Sequence, residues 1–226
     1  TRYPLVTGVQ TCALPISISS GAAVVLGNFT TVGNLILSTT GGDISQANGT
    51  TVEVSGSTAL SAASAGADAN VTLNNVGNNW TGKINVTRAA DLILRGSILD
   101  FENITTSGSQ IYNSQLSLSR DSVFAGNGIS FNNFINGAYR LTVNDGGTTV
   151  FAKSVGDLTY GDAPSHIDVS ASSIRFDGSI VRTSGPSSTV FTGPVVLTSP
   201  TVLFDTTNAG GLSTGANITF ASTLNG

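Results

Sequence analysis

The single histidine of the chain lies in Tyr160-Gly-Asp-Ala-Pro-Ser-His-Ile-Asp168, between Asp162 and Asp168 and next to Ser165. A metal site or a Ser-His-Asp relay is built from these residue types. A relay also needs a fixed nucleophile and an oxyanion hole. Neither is signalled, so the segment reads as a polar corner leading into a strand at Ile167. Asp100 and Glu102 flank Phe101, and on an extended strand they would share one face about 7 Å apart. Glycosidases hold paired carboxylates at comparable separations, but the same spacing arises wherever polar residues occupy the wet face of a strand. Gly41-Gly42-Asp43 and Asn144-Asp-Gly-Gly147 are isolated pieces of the tandem pattern that calcium-binding repeats require. Tyr112, Tyr139, Tyr160 and Trp80 could form an exposed carbohydrate platform, yet aromatics so widely spaced read first as packing. Seven Asn-x-Thr sequons stand against about five expected by chance from this composition, an excess that decides nothing. No catalytic, cofactor-binding or metal-ligating residue is therefore assigned. No cofactor is expected, and the chain is read as not an enzyme.

The segments that would carry these residues are unusual in composition. Gly, Ser, Thr and Asn fill 104 of the 226 positions, and charged residues only 10%, against about 25% in an ordinary soluble domain. With 39% hydrophobic residues, many of them Val, Ile, Leu and Phe, this is not a disordered polar tract. It implies an aliphatic core beneath a surface of hydroxyls and amides. Nine Lys plus Arg and a net charge of −4 give no basic stripe, which argues against nucleic-acid partners. No apolar run approaches the length of a membrane-spanning helix.

The first sixteen residues read differently from the rest. Val6-Thr-Gly-Val-Gln-Thr-Cys-Ala-Leu-Pro-Ile16 is similar to the translation of a short-read sequencing adapter. Residues 1–16 are therefore taken as a non-native leader and set aside from fold reasoning. Cys12, the only cysteine, falls inside it, so the native remainder offers no disulfide or thiolate metal site. Residues 17–226 are read as a single segment of a longer protein, since the chain contains no Met and no signal-peptide layout.

From Ile18 onward the repeating motif is a short apolar-x-apolar triplet followed by Gly, Asn, Asp, Ser or Thr. Leu35-Ile-Leu37, Val52-Glu-Val54, Val71-Thr-Leu73, Leu92-Ile-Leu94, Ile129-Ser-Phe131 and Ile174-Arg-Phe176 are instances. Period-two alternation sends the outer two side chains to one face and the middle one to the other. Such triplets are shorter than the five or six residues usual in a meander or sandwich. They suit a solenoid whose turns hold two or three brief strands separated by bends. Triplets beginning at Leu35, Val52, Val71, Leu92, Leu116 and Leu141 are spaced 17 to 25 residues apart, and steps of about 20 link residues 129 to 149 and 174 to 195. The expected fold is all-β with essentially no helix: a right-handed parallel β-helix of about nine or ten coils. The Ala-rich stretch from Thr58 to Ala69 is read as strand plus loop.

Gly42-Asp-Ile-Ser-Gln46, Thr51-Val-Glu-Val-Ser-Gly-Ser-Thr-Ala-Leu60, Val71-Thr-Leu-Asn-Asn75 and Asn78-Asn-Trp-Thr-Gly82 follow one another in order. This succession resembles the filamentous-haemagglutinin-like, β-strand-repeat surface proteins of Gram-negative bacteria, with Trp80 where Phe is common. The resemblance implies a structural or display segment of a large secreted or surface-exposed adhesin, either haemagglutinin-like or an autotransporter passenger. It also implies an extracellular, outer-membrane-associated location. Its partners would be neighbouring coils of the full-length chain and host-cell glycans or proteins. The alternative is a fragment of a carbohydrate-active β-helix enzyme, a polysaccharide lyase or hydrolase.

Overall fold

The computed structural model describes residues 15–226, together with the backbone of the strand Leu5–Gln10. Cys12 and half of the leader segment lie outside the described residues. Among those described there is no helix. Parallel strands stack turn upon turn as a β-solenoid of about nine turns. The chain divides into two compact units, 1–114 and 115–226.

In the first unit a turn carries up to three short strands, each paired in parallel with its counterpart one turn on. One stack runs from residues 24–26 through Ile44–Gln46, Val71–Leu73 and Leu92–Leu94 to Gln110–Tyr112. A second joins residues 29–31, Val52–Val54 and Asn79–Trp80. The third is Ile16–Ser20, Leu35–Thr39, Thr58–Ser64, Ile84–Arg88 and Phe101–Thr105. Triplet logic holds within each stack. Val24, Ile44, Val71 and Leu92 lie directly above one another, each fully buried. Burying one such side chain is worth roughly 1.5–3 kcal/mol. The residues that follow them, Val25, Ser45, Thr72 and Ile93, take the other face and are only partly buried. The stretch from Thr58 to Ala69 is the strand Thr58–Ser64, a turn through Ala65-Gly66 and the short strand Ala67–Asp68.

The register differs from the one spacing suggests. Leu35, Val52 and Val71 stand in three different stacks, and Leu116 pairs with Ile135 rather than Leu141. Steps of 129 to 149 and 174 to 195 are true stackings. Corner length is the cause: one turn takes 27 residues from Ile44 to Val71, another only 18 from Leu92 to Gln110. With three strands to a turn, a step of about 20 can land on a neighbouring face. Where corners stack closely, glycine is obligatory. A Cβ on Gly82 would lie 2.3 Å from the Gly56 carbonyl oxygen, and one on Gly56 would lie 2.6 Å from that of Gly33. The three form a ladder with no room for side chains.

The second unit repeats the scheme with longer strands. Arg140–Phe151 pairs along its length with His166–Phe176, with a one-residue bulge between Asp145 and Thr148. One stack is Ser122–Gly126, residues 141–145, 167–171, Thr189–Thr192 and Ile218–Phe220. Another is Ile129–Phe131, then residues 149–151 and 174–176, then Val195–Leu197. Its interior is aromatic: Phe131, Phe151 and Phe176 stack at 5.3 and 4.9 Å between centroids, within 15° of coplanar. The third stack passes through Ile135, Val155, Val181 and Phe204.

Candidate functional site

Asx and hydroxyl residues immediately before the strands make the corners. Asn70 donates its amide N–H to Asp43 Oδ1 (2.8 Å), Asp91 N–H donates to Asn70 Oδ1 (3.2 Å), and Ser109 N–H to Asp91 Oδ1 (2.7 Å). Each side-chain oxygen thus satisfies a backbone donor one turn on that the ladder leaves free. Asn28 does the same for Thr51, and Asn34 for Ser57. The carboxylates that looked like calcium-repeat fragments belong to this scheme. Asp145 accepts from the amides of Gly128, Ile129 and Gly147 and from the Thr149 hydroxyl, at 2.6 to 2.9 Å. Its oxygens are occupied by protein donors. Among the described residues no three His, Cys, Asp or Glu gather as metal ligands.

The histidine cluster is assembled, but not as a relay. Arg140 lies opposite His166 and Thr142 opposite Asp168 on adjacent strands. His166 Nε2 lies 2.9 Å from Asp168 Oδ2, to which the Arg140 guanidinium also donates a hydrogen bond. The other ring nitrogen, Nδ1, is buried without a partner, so no hydroxyl is held at the position a nucleophile needs. Ser165 contributes its amide to the Tyr139 carbonyl. The result is a carboxylate shared by two basic side chains on the outer face. At Asp100 and Glu102 the strand bulges: Ile84 aligns with Phe101, but Val86 aligns with Ile104. The extra residue turns both Glu102 and Asn103 outward, while Asp100 is half-buried beside the core residue Phe101.

The four aromatic residues split evenly. Tyr112 is fully buried, and its hydroxyl donates to Gln110 Oε1 at 2.8 Å. Burial pushes that phenol well above its ordinary pKa. Trp80 is buried with Nε1 donating to the Arg95 carbonyl at 3.0 Å, and its ring lies so close to Gly96 that a Cβ there would meet it at 2.4 Å. Tyr139 and Tyr160 are exposed. Tyr160 stacks on Phe134, centroids 3.9 Å apart and planes 21° from parallel, at the edge of an open groove of about 420 Å³. Phe134 had no sequence signal. It meets Tyr160 only because the turn from Val155 to Val181 takes 26 residues, against 20 from Ile135 to Val155, and the surplus forms a loop.

The motif residues of the first unit converge on one corner. Gln46 and Asn78 form a reciprocal amide pair, with Gln46 Nε2 donating to Asn78 Oδ1 at 2.8 Å and Asn78 Nδ2 to Gln46 Oε1 at 2.9 Å. Asn78 also accepts from the Val52 amide and donates to the Leu73 carbonyl. Asn75 donates to the Ala47 and Thr50 carbonyls. These are the Gln of Gly42–Gln46, the last Asn of Val71–Asn75 and the first of Asn78–Gly82. Residues 14–87 match a family described as repeats of unknown function (DUF5649). That stretch contains the whole corner network and the Gly33–Gly56–Gly82 ladder. No curated protein and no solved structure matches the chain. The repeat match and the stacked fold together make this a β-solenoid repeat protein.

Asn78 is only 2% exposed. Asn78→Ala strips partners from Gln46, Val52 and Leu73, and it is expected to cost about 2–3 kcal/mol. Urea unfolding followed through the fluorescence of Trp80, in the next strand, checks this. A midpoint within error of the parent would show that the amide pair contributes nothing to the corner.

Proposed function

We propose that the chain is a structural and display segment of a secreted or cell-surface bacterial adhesin, and not an enzyme. The observation that carries this reading is where the recurrent polar residues are used. Gln46, Asn75, Asn78, Asp43, Asn70, Asp91 and Asp145 all spend their side chains on joining one turn to the next. A polypeptide that invests its recurrent polar side chains in its own continuity is suited to spacing and support. Backbone satisfied along a stack, an exterior of Thr, Ser and Asn, and sparse charge fit an exported solenoid. The resemblance to haemagglutinin-like repeats supports the adhesin setting. Neighbouring coils of the full-length protein are then its first partners, with host-cell glycans or proteins beyond them.

Residues 17–226 inserted between an epitope tag and the anchor of a bacterial surface-display system test this. The tag is expected to be reached by antibody on intact cells, and the insert to survive trypsin at levels that digest an unfolded linker. A hidden tag or rapid proteolysis would overturn the display role. Release of new reducing or unsaturated ends from polysaccharides by the purified chain would establish the enzyme instead.

A further inference from the structure

The groove beside the Phe134–Tyr160 pair differs from the rest of the surface. It runs across four successive turns, from Phe134 through Lys153, Asp157 and Tyr160 to Asp177 and Ser199. Three inter-strand steps of about 4.8 Å give it a length of about 14 Å along the stacking direction. The loop that forms one wall is the surplus of the long turn, and insertions in solenoids tend to mark a binding face. Tyr160 is 46% exposed although stacked on Phe134, so one aromatic face is braced from behind and left bare in front. Aromatic surface held this way accepts another flat apolar face at low ordering cost.

The polar lining is mixed and close to neutral. Lys153 is exposed and has no ion-pair partner among the described residues. Asp157 accepts the Thr159 amide, which leaves carboxylate capacity over. Asp177 is held by a two-point pair with Arg175 at 2.8 and 2.8 Å and by the Thr198 hydroxyl. Arg175 therefore offsets Asp177, and Lys153 offsets Asp157. A long cleft with one braced aromatic plate, balanced charge, and both donors and acceptors matches a molecule with flat C–H faces and a rim of hydroxyls repeated along a line. We propose that this groove binds a linear, uncharged oligosaccharide, with one sugar ring on the outer face of Tyr160. Lys153, Asp157 and Ser199 take its hydroxyls.

Titration calorimetry of the purified chain with cellotetraose, chitotetraose and xylotetraose tests the proposal. At least one is expected to bind, and Tyr160→Ala to weaken it about tenfold, as loss of one aromatic contact predicts. Tyr160→Phe should retain binding within about threefold. Tyr139→Ala, which removes an exposed tyrosine outside the groove, should leave it unchanged. Unchanged thermal melting of Tyr160→Ala separates lost contact from lost fold. Failure of all three sugars, equal binding by Tyr160→Ala, or binding confined to sulfated or uronate chains would overturn the proposal. Binding that survives while the display experiment fails would leave the groove standing without the adhesin setting.

Discussion

Replacing Phe151 by alanine is expected to destabilise the second unit by about 3–5 kcal/mol, the range for emptying a fully packed aromatic site. Phe151 is 1% exposed, at the centre of a ladder with Phe131 on one side and Phe176 on the other. The two neighbours belong to different turns, so alanine leaves a cavity and also severs two ring stackings, each worth about 0.5–1.5 kcal/mol beyond burial. A solenoid turn contacts only its neighbours, and the damage should therefore be local. Amide exchange should accelerate in Ile129–Phe131, Arg140–Phe151 and His166–Phe176 and stay near the parent rate in Val71–Leu73 of the first unit. Phe151→Leu keeps most of the volume and should lose less than half as much. A loss below about 1 kcal/mol for alanine would mean that the site collapses freely, which a continuous ring ladder does not allow.

Much of this architecture is legible in the sequence, because one rule repeats. Val71-Thr-Leu73 and Leu92-Ile-Leu94 share a pattern, a face and a register, so alternation alone identifies their buried residues. The stack to which each triplet belongs is not legible. Leu35 and Val52 look like successive rungs but lie on different faces, since local pattern carries no record of how many residues a corner consumes. Motif residues behave in an intermediate way. Gln46 and Asn78 stand out as recurrent positions, yet their pairing across 32 residues depends on two corners being brought together. The groove was half visible. Tyr160 is conspicuous as an aromatic in a Gly-rich, Asp-rich segment, whereas Phe134 looks like one more apolar residue after Asn132-Asn133. Only the surplus length of the turn beyond Val155 makes them meet. The cluster around His166 shows the opposite case: the residue types of a relay are adjacent in sequence, but the strand sends Asp168 to join histidine with Arg140 of the preceding turn.

Arg182→Met is expected to cost about 3–5 kcal/mol, because it strands a buried carboxylate. Arg182 and Asp205 are paired opposite each other on Ile180–Arg182 and Leu203–Asp205, with Nε 2.7 Å from Oδ2 and each side chain 10% exposed. Neither residue has a sequence signal, for they are 23 positions apart and ordinary in their surroundings. Asp205 also accepts from the amides of Thr207 and Ala209 and from the Thr207 hydroxyl. It thereby holds a turn in which Asn208 and Ala209 have φ of 52° and 57°, a conformation that costs non-glycine residues about 1–2 kcal/mol each. Burial alone would raise its pKa, but Arg182 and the turn donors outweigh burial and hold it far below the usual carboxylate value. A depressed folded pKa contributes stability that is complete above the unfolded value of about 3.9 and fades as the folded carboxylate is forced to take a proton. Unfolding free energy should therefore fall as pH drops below 4. In Arg182→Met the fall should be shallower, because the carboxylate, no longer paired, protonates nearer its ordinary value or above. The double variant Arg182→Met/Asp205→Leu removes both charges and should recover most of the loss at neutral pH, provided the 206–212 turn tolerates losing its acceptor. Urea titrations of the three proteins between pH 2 and 7 check this. Parallel pH curves for parent and double variant would show that the pair takes up no proton in that window and that the acid sensitivity lies elsewhere.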